Sequence, residues 1–199
     1  MPTSLIELLA ARRGHFKLES GYHGDLWMDL EPLFQQPGRL QPFTADLSVR
    51  LGRHGLEAVC GPLVGGAFLA QLIALELGLE FFYTERLPPL RPDALFGVRY
   101  RIPDAMREPM RGMRVAIVDD AINAGSAVLG TRADLLDCGA LPAAMGALLV
   151  VGSAAARFSA DLGLPLESVA QLDSGRWPPA DCPLCASGAP LEDVAPPVA

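Results

Sequence analysis

Apolar residues recur at helical spacing in the first part of the chain and gather in short strand-like runs later. Over residues 40–54 the spacing predicts a helix, which Gly55 ends. Ser4 and Glu7 form a capping-box pattern that predicts a short first helix before Gly14. Further strands are predicted at 57–60, 80–84, 114–119, 143–151 and, more weakly, 166–172, with helices at 66–77 and 126–138. This alternation predicts an α/β fold with a mostly parallel central sheet flanked by helices.

Length and composition place these elements in one domain. The chain has 199 residues, of which 50% are hydrophobic and 20% charged, as in a well-buried globular protein. No segment repeats at a fixed period, which excludes solenoids and propellers. We divide the chain into a small N-terminal hood segment (residues 1–39), a core (40–172) and a tail rich in Pro and Cys (173–199).

The charge balance limits the partners. Sixteen Lys and Arg residues against 23 Asp and Glu residues leave a net charge of -7, so no broad positive field attracts nucleic acid. Lys17 is the only lysine. An anion site in this chain must therefore use arginine, backbone N–H groups or a metal ion.

The N-terminus and the longest uncharged stretches argue against secretion and membrane insertion. The first residues lack the order of a secretory signal. The uncharged stretches at 58–75 and 138–156 approach the length of a membrane span, but glycine and proline interrupt both. Four cysteines are too few for a disulfide scaffold in a chain of this size. We expect a cytoplasmic protein with reduced thiols and no membrane partner.

The clearest chemical motif is the thirteen-residue run at 115–127. Four apolar residues form a predicted strand, Asp119 and Asp120 follow at its carboxyl end, and Gly125 opens the next helix. Backbone N–H groups in such a loop can bind phosphate without lysine, while the carboxylates suit sugar hydroxyls or a bridging Mg²⁺. An isolated Asp-Asp pair would more often cap a helix. The whole run favours a site for a phosphorylated sugar.

This run resembles the phosphoribosyl pyrophosphate (PRPP) signature of the type I phosphoribosyltransferases. Segment 14–23, the Gly-rich turn at 61–66 and the end of the chain around 181–191 are similar to orotate phosphoribosyltransferases, the last to a short bacterial subset with a Cys-Pro-Leu-Cys tail. The resemblance covers nearly the whole chain in the right order.

The resemblance implies transfer of ribose 5-phosphate from PRPP to a pyrimidine or related base, with Mg²⁺, release of pyrophosphate and a homodimer. By position it assigns catalytic roles to Asp119, Asp120, Arg86, Arg99 and Arg101, and phosphate or PRPP binding to Asn123, Ala124, Gly125, Ser126, Ala127, Gly65 and Gly66. Candidates for the base pocket are Lys17, Ser20, His23 and Val151.

Three departures from the family pattern change the expectations. Asn123-Ala124-Gly125 stands where the family usually has Thr-Thr-Gly, which predicts altered phosphate binding. Val150 and Val151 stand where the family typically has Asp-Arg, whose arginine contacts the carboxylate of orotate, so orotate should bind poorly unless another arginine such as Arg157 replaces it. Three prolines in the segment 87–92 predict a stiff catalytic loop.

Two alternatives to an orotate enzyme therefore stay open. One is a regulatory protein that binds PRPP or a nucleotide without catalysis, and the other is a salvage enzyme for a different base, for which Val150 and Val151 would form an apolar pocket. A DNA-binding repressor is excluded because the chain has no basic helix-turn-helix segment.

Cys182 and Cys185 have the spacing of half a zinc site. His15, His23 and His54 are scattered along the chain, so a complete site within one chain is not expected. Two copies of the cysteine pair across a dimer axis would supply four ligands. The simpler interpretation is a tail packed down by Trp177 and Leu184.

Overall fold

A six-stranded sheet lies at the centre of the computed structural model, which describes residues 4–9, 11–18, 20–28, 30–88 and 98–194. The strands are β1 (Arg12–Lys17), β2 (His23–Trp27), β3 (Ala58–Pro62), β4 (Glu80–Leu87), β5 (Arg99–Arg101), β6 (Arg114–Ile122), β7 (Leu141–Val151), β8 (Leu166–Leu172), β9 (Arg176–Trp177) and β10 (Glu192–Asp193). The helices are α1 (Leu5–Leu8), α2 (Glu31–Phe34), α3 (Pro37–Leu51), α4 (Gly65–Leu77), α5 (Asp104–Arg107), α6 (Ser126–Asp137), α7 (Ala154–Leu162) and α8 (Pro183–Ala186).

The central sheet has the strand order β5-β4-β3-β6-β7-β8. All neighbours pair in parallel except β4 and β5, which form an antiparallel hairpin. Because β3 and β6 are parallel neighbours, the turns that follow them emerge at the same edge of the sheet. The α/β fold with a mostly parallel sheet flanked by helices is confirmed.

Apolar side chains fill both faces of this sheet. On one face α3 and α4 bury Leu47, Leu51 and Ile73 against the strands. On the other face Val128 and Leu135 of α6 pack in a second cluster. A sheet covered on both faces explains the nearly continuous apolar runs of β3, β6 and β7.

A second, four-stranded sheet joins the hood to the tail. The hairpin of β1 and β2 lies in its middle, β10 pairs with β1, and β9 pairs with β2. The sequence pattern did not predict this hairpin, because its strands are polar and a bulge between Arg13 and Phe16 breaks the alternation. The capping box of Ser4 and Glu7 is present, but α1 has only four residues, because the backbone is extended at Leu9.

Most core elements agree with the predicted ones within a few residues. α3 begins at Pro37 instead of residue 40, because proline is favoured in the first turn of a helix. α7 carries Arg157 and lies between β7 and β8 in the chain. None of the helices in the described part of the chain has the length and apolar character needed to span a membrane.

Candidate functional site

The loop between β6 and α6 forms one wall of the candidate site. Gly125 precedes α6 with a φ of +86°, a left-handed conformation that glycine adopts at low cost. A Cβ atom at this position would also meet the ring of Phe158. The first N–H groups of a helix lack intrahelical partners and lie at the positive end of its dipole, so this loop is suited to bind an anion.

Two adjacent carboxylates lie near the end of β6. Asp119 is 8% exposed, and its Oδ1 accepts a hydrogen bond from the N–H of Asp120 at 3.1 Å. Oδ1 of Asp120 accepts from the N–H of Ala121 at 2.7 Å. These bonds orient both carboxylates beside the loop, where they can accept hydrogen bonds from hydroxyl groups or coordinate a hard cation.

The turn after β3 passes directly beside the acidic pair. Gly65 and Gly66 begin α4, after a cis peptide between Leu63 and Val64. A Cβ atom on Gly66 would lie 2.8 Å from Oδ1 of Asp119, and one on Gly65 would overlap the carboxylate of Asp120. Both positions therefore need glycine, since any side chain there would displace the carboxylates.

A cleft of about 190 Å³ separates this loop from the hood. From the hood it is lined by Leu18, Ser20, Leu26, Trp27 and Met28, and from the core by Asp119, Ala121, Ile122, Asn123, Ala124, Gly125, Ser126, Ala127 and Val151. The hood thus provides an apolar side of the cleft, and the loop between β6 and α6 provides a polar side. Such a division suits a flat ring joined to an anionic sugar.

A more polar cleft of about 250 Å³ adjoins the first, since Asn123 and Val151 line both. Arg157 of α7 and Arg176 of the tail also line it. Nη1 of Arg176 donates to the carbonyl oxygen of Asn123 at 3.3 Å, and its guanidinium lies 4.9 Å from the centroid of the Tyr22 ring.

Electrostatics mark this second cleft as a place for an anion. Burial lowers the pKa of Arg176; the interaction with Tyr22 raises this pKa, and the charge of Arg157 lowers it again. Arginine keeps its proton in proteins, so two like charges face one cleft. An anion between them would offset their repulsion.

The hairpin of β4 and β5 borders a third cleft, of about 560 Å³, that also reaches Ser126. Arg99 and Arg101 line it, and Nη2 of Arg101 donates to Oδ1 of Asp104 at 2.6 Å. Arg86 lies on β4 opposite Tyr100 of β5 and outside the lining of this cleft. The stiff loop was predicted for the segment 87–92, of which residues 89–92 lie outside the described residues.

Comparison with known proteins agrees with this geometry. The chain is 30% identical to the orotate phosphoribosyltransferase of Thermotoga maritima over 183 residues, which cover 92% of this chain and 90% of that one. It is 28% identical to the orotate phosphoribosyltransferase of Caldanaerobacter subterraneus subsp. tengcongensis over 187 residues, which cover 93% of this chain and 90% of that one. No family model matches the chain.

The chain belongs to the orotate phosphoribosyltransferase family. Among solved structures, the orotate phosphoribosyltransferase of Aeropyrum pernix superimposes with a TM-score of 0.62 at 26% identity, over 81% of this chain and 88% of that one. The adenine phosphoribosyltransferase of Rhodothermus marinus gives a TM-score of 0.65 at 18% identity, over 84% of this chain and 96% of that one, and shows the shared fold.

The structure brings most of the residues predicted for this family to one place. Ser20, Asp119, Val151 and the loop 123–127 line the same cleft, and Gly65 and Gly66 touch the acidic pair.

Lys17 and His23 are not brought to this cleft. Nζ of Lys17 lies 3.0 Å from Oδ2 of Asp193, because β10 adds to the outer edge of β1. His23 is buried against His15 and Cys185 instead.

Arg176 is the residue at this site that sequence reasoning missed. It lies in the tail, where glycine and proline interrupt any periodicity that could have placed it. Arg157, named from the sequence as a possible replacement for the missing arginine, does lie beside Val151 in the second cleft. Arg176 reaches the site because β9 pairs with β2, and nothing in the local sequence indicates this pairing.

Gly65→Ala tests the close packing of the two turns. We expect it to lower the free energy of unfolding by about 1–3 kcal/mol, because the added Cβ overlaps the Asp120 carboxylate. Gly38→Ala in α3 is the control, since its Cβ meets nothing within 4 Å, and it should be stabilising by less than about 1 kcal/mol. Urea unfolding measures both variants, and equal values would contradict the packing described.

Proposed function

We propose that the protein transfers the ribose 5-phosphate group of PRPP to a ring nitrogen of orotate and releases pyrophosphate. The observation that carries the proposal is the convergence of the loop 123–127, the acidic pair and the glycine turn on one edge of the sheet. The curated relatives named above, which match nearly the full chain, support orotate as the acceptor.

The 5-phosphate binds at the loop 123–127. N–H groups of the loop and of the first turn of α6 donate to the phosphate oxygens, and the hydroxyl of Ser126, which lines the cleft, donates as well. The amide of Asn123 and the methyl group of Ala124 stand where the family usually has two hydroxyls. Backbone donors therefore carry a larger share of this contact.

Asp119 and Asp120 hold the ribose. Their carboxylates accept hydrogen bonds from the sugar hydroxyls and so orient the anomeric carbon toward the base. Their oxygens, with those of pyrophosphate, are ligands of the kind that Mg²⁺ prefers, so these residues fit the ion. When bound, Mg²⁺ offsets the charge of the pyrophosphate leaving group.

Bond breaking and bond making both occur at this anomeric carbon. The bond from carbon to the pyrophosphate oxygen breaks with its electron pair on oxygen. The ring nitrogen of the base supplies the pair for the new bond, and its proton passes to the departing pyrophosphate or to solvent. The transition state resembles an oxocarbenium ion. N–H groups at Gly65 and Gly66 donate to the pyrophosphate in this proposal. Arg86, Arg99 and Arg101 belong to the hairpin of β4 and β5, which in the family closes over the pyrophosphate of a neighbouring subunit, and they complete its neutralisation across the dimer.

The carboxylate of orotate binds between Arg157 and Arg176. These cations line the cleft of about 250 Å³, which shares Val151 with the cleft of about 190 Å³ beside the loop 123–127. We call the latter the ribose-side cleft. A base bound there can extend an acidic group into the more polar cleft. The two arginines replace the family's arginine, which is missing because Val150 and Val151 occupy the positions of the usual Asp-Arg pair. A charge-assisted pair of this kind distinguishes orotate from uracil.

The protein works in the cytoplasm under this proposal. The four cysteines are free in the structure, which agrees with a reducing compartment.

A homodimer completes the proposed enzyme. Leu63, Val64 and Phe68 are exposed side by side at the glycine turn, with exposed fractions of 40–47%. Apolar side chains grouped beside a polar site are typical of an interface, and in the family a neighbouring subunit closes this part of the site.

The Asp119→Asn, Asp120→Asn double variant tests the ribose site. Losing two charge-assisted contacts should weaken PRPP binding by at least about 100-fold in a calorimetric titration with Mg²⁺. Asparagine keeps the shape and an acceptor oxygen, so the thermal midpoint should change little. Asp161→Asn, on the exposed face of α7, should bind PRPP like the parent. Unchanged affinity of the double variant would contradict the site.

Arg176→Gln and Arg157→Gln test base recognition. Each should raise the KM for orotate about 10- to 100-fold, since a hydrogen bond to a charged group contributes about 1.5–3 kcal/mol. The KM for PRPP should stay within about threefold. Arg53→Gln is the control, because Arg53 is exposed and lines neither of the two clefts. An equal rise in KM for PRPP and for orotate would contradict this role and indicate that the arginines bind a phosphate group of PRPP instead.

Phe68→Glu tests the dimer. A charge in a buried apolar interface should produce monomers, measured by light scattering after gel filtration, and should lower kcat. Leu136→Glu in α6 is the matched control, because Leu136 and Phe68 have the same exposed fraction of 45%. Monomers in the parent protein, or a dimer that Phe68→Glu leaves intact, would contradict the assignment.

A further inference from the structure

Two histidines of the hood and two cysteines of the tail meet in one small cluster. His15 and His23 come from β1 and β2, while Cys182 and Cys185 flank the start of α8. One ligand atom from each of the four lies within 4.8 Å of the others. The sequence-based expectation that the histidines are too scattered for a site within one chain is therefore wrong for His15 and His23, because strand pairing brings them together.

The distances match those of a tetrahedral metal site. With Zn–N bonds of about 2.0–2.1 Å and Zn–S bonds of about 2.3 Å, ligand atoms are separated by about 3.3 Å for N to N and about 3.6 Å for N to S. Nε2 of His15 lies 3.1 Å from Nδ1 of His23, and 3.4 and 3.6 Å from the Sγ atoms of Cys182 and Cys185. Nδ1 of His23 lies 3.2 Å from Sγ of Cys185.

The tautomer of His15 also agrees with metal binding. Nδ1 of His15 donates to the carbonyl oxygen of Ala189 at 2.9 Å, and a carbonyl can only accept. In the neutral ring Nε2 then has a lone pair directed at the cluster. Hydrogen bonding of the distant ring nitrogen to a carbonyl is the usual way in which a metal-binding histidine is oriented.

Hydrogen bonds alone do not account for this convergence. Nε2 of His15 has one lone pair, yet the ring nitrogen of His23 and both sulfur atoms lie within 3.6 Å of it. A cation at the centre would bind all four atoms at once. Two thiolates and two imidazoles in a tetrahedral arrangement favour Zn²⁺.

The tail needs such a cross-link. Among the described residues 173–194, Cys182 is the only buried one. The ion pairs Arg12–Glu192 and Lys17–Asp193 are about half exposed, and exposed pairs contribute little. The two tail strands, β9 and β10, pair over only two residues each.

We propose that His15, His23, Cys182 and Cys185 of one chain bind a structural Zn²⁺ ion. All four positions are filled by protein, so the ion carries no open site for catalysis. It fastens the tail to the hood hairpin between the two places where tail strands pair with it. The proposal is independent of the proposed function.

Metal analysis of the full chain, purified under reducing conditions without a metal-binding tag, tests the site. We expect about one zinc ion per chain. Cys185→Ser, at the exposed ligand, should lose most of this zinc and retain the fold. Cys138→Ala is the control, because Cys138 is a free buried cysteine outside the cluster, and it should keep its zinc. Cobalt in place of zinc should give the visible absorption of a tetrahedral thiolate site.

Trypsin provides a readout of the cross-link that does not depend on activity. Arg176 is the only basic residue between 173 and 199 and lies against Asn123, so cleavage after it reports release of the tail. Removing the metal with a chelator should speed this cleavage at least about ten-fold, and added ZnCl₂ should restore protection.

Several outcomes would overturn the proposal. They are an absence of bound zinc after incubation with ZnCl₂, a disulfide between Cys182 and Cys185 in the reduced preparation, and full zinc content in Cys185→Ser. About half a zinc ion per chain would also overturn it, since that value indicates an ion shared between two copies.

Discussion

The close approach of two turns at one edge of the sheet is the constraint on which the site depends. β3 and β6 are parallel neighbours, so the glycine turn at Gly65 and Gly66 meets the carboxylates of Asp119 and Asp120 with no side chain between them. This contact aligns the acidic pair with the N-terminus of α6. A chain with one lysine can then bind a strongly anionic substrate through backbone N–H groups, fixed carboxylates and a few arginines.

The hood and tail close this site from the other side. Leu18, Ser20 and Leu26 lie on or beside the hairpin of β1 and β2 and line the ribose-side cleft, while the tail brings Arg176 to the neighbouring cleft. The tail strands β9 and β10 flank the hairpin on both edges. The geometry at the base end of the proposed site therefore depends on how firmly the tail is attached, and the proposed zinc ion would strengthen that attachment.

The core was predictable because its signals are local. Apolar runs such as 115–118, the acidic pair and Gly125 identify a strand, a site and a helix start within thirteen residues. The hood hairpin was not predictable because its strands are polar and a bulge breaks their alternation. The histidine–cysteine cluster and Arg176 were not predictable either, because each depends on pairing between segments more than 140 residues apart, as in His23 with Trp177. Lys17 shows the same limit, since its partner Asp193 lies near the other end of the chain.

Release of pyrophosphate from PRPP by the purified protein, measured with Mg²⁺ and orotate and in parallel with uracil and with adenine, is the most direct test of the proposed reaction. Orotate should support turnover, and the two bases that lack its carboxylate should support little, because Arg157 and Arg176 would have no anion to bind. Turnover with adenine or uracil alone, or PRPP binding without turnover on any base, would contradict the proposed orotate transferase.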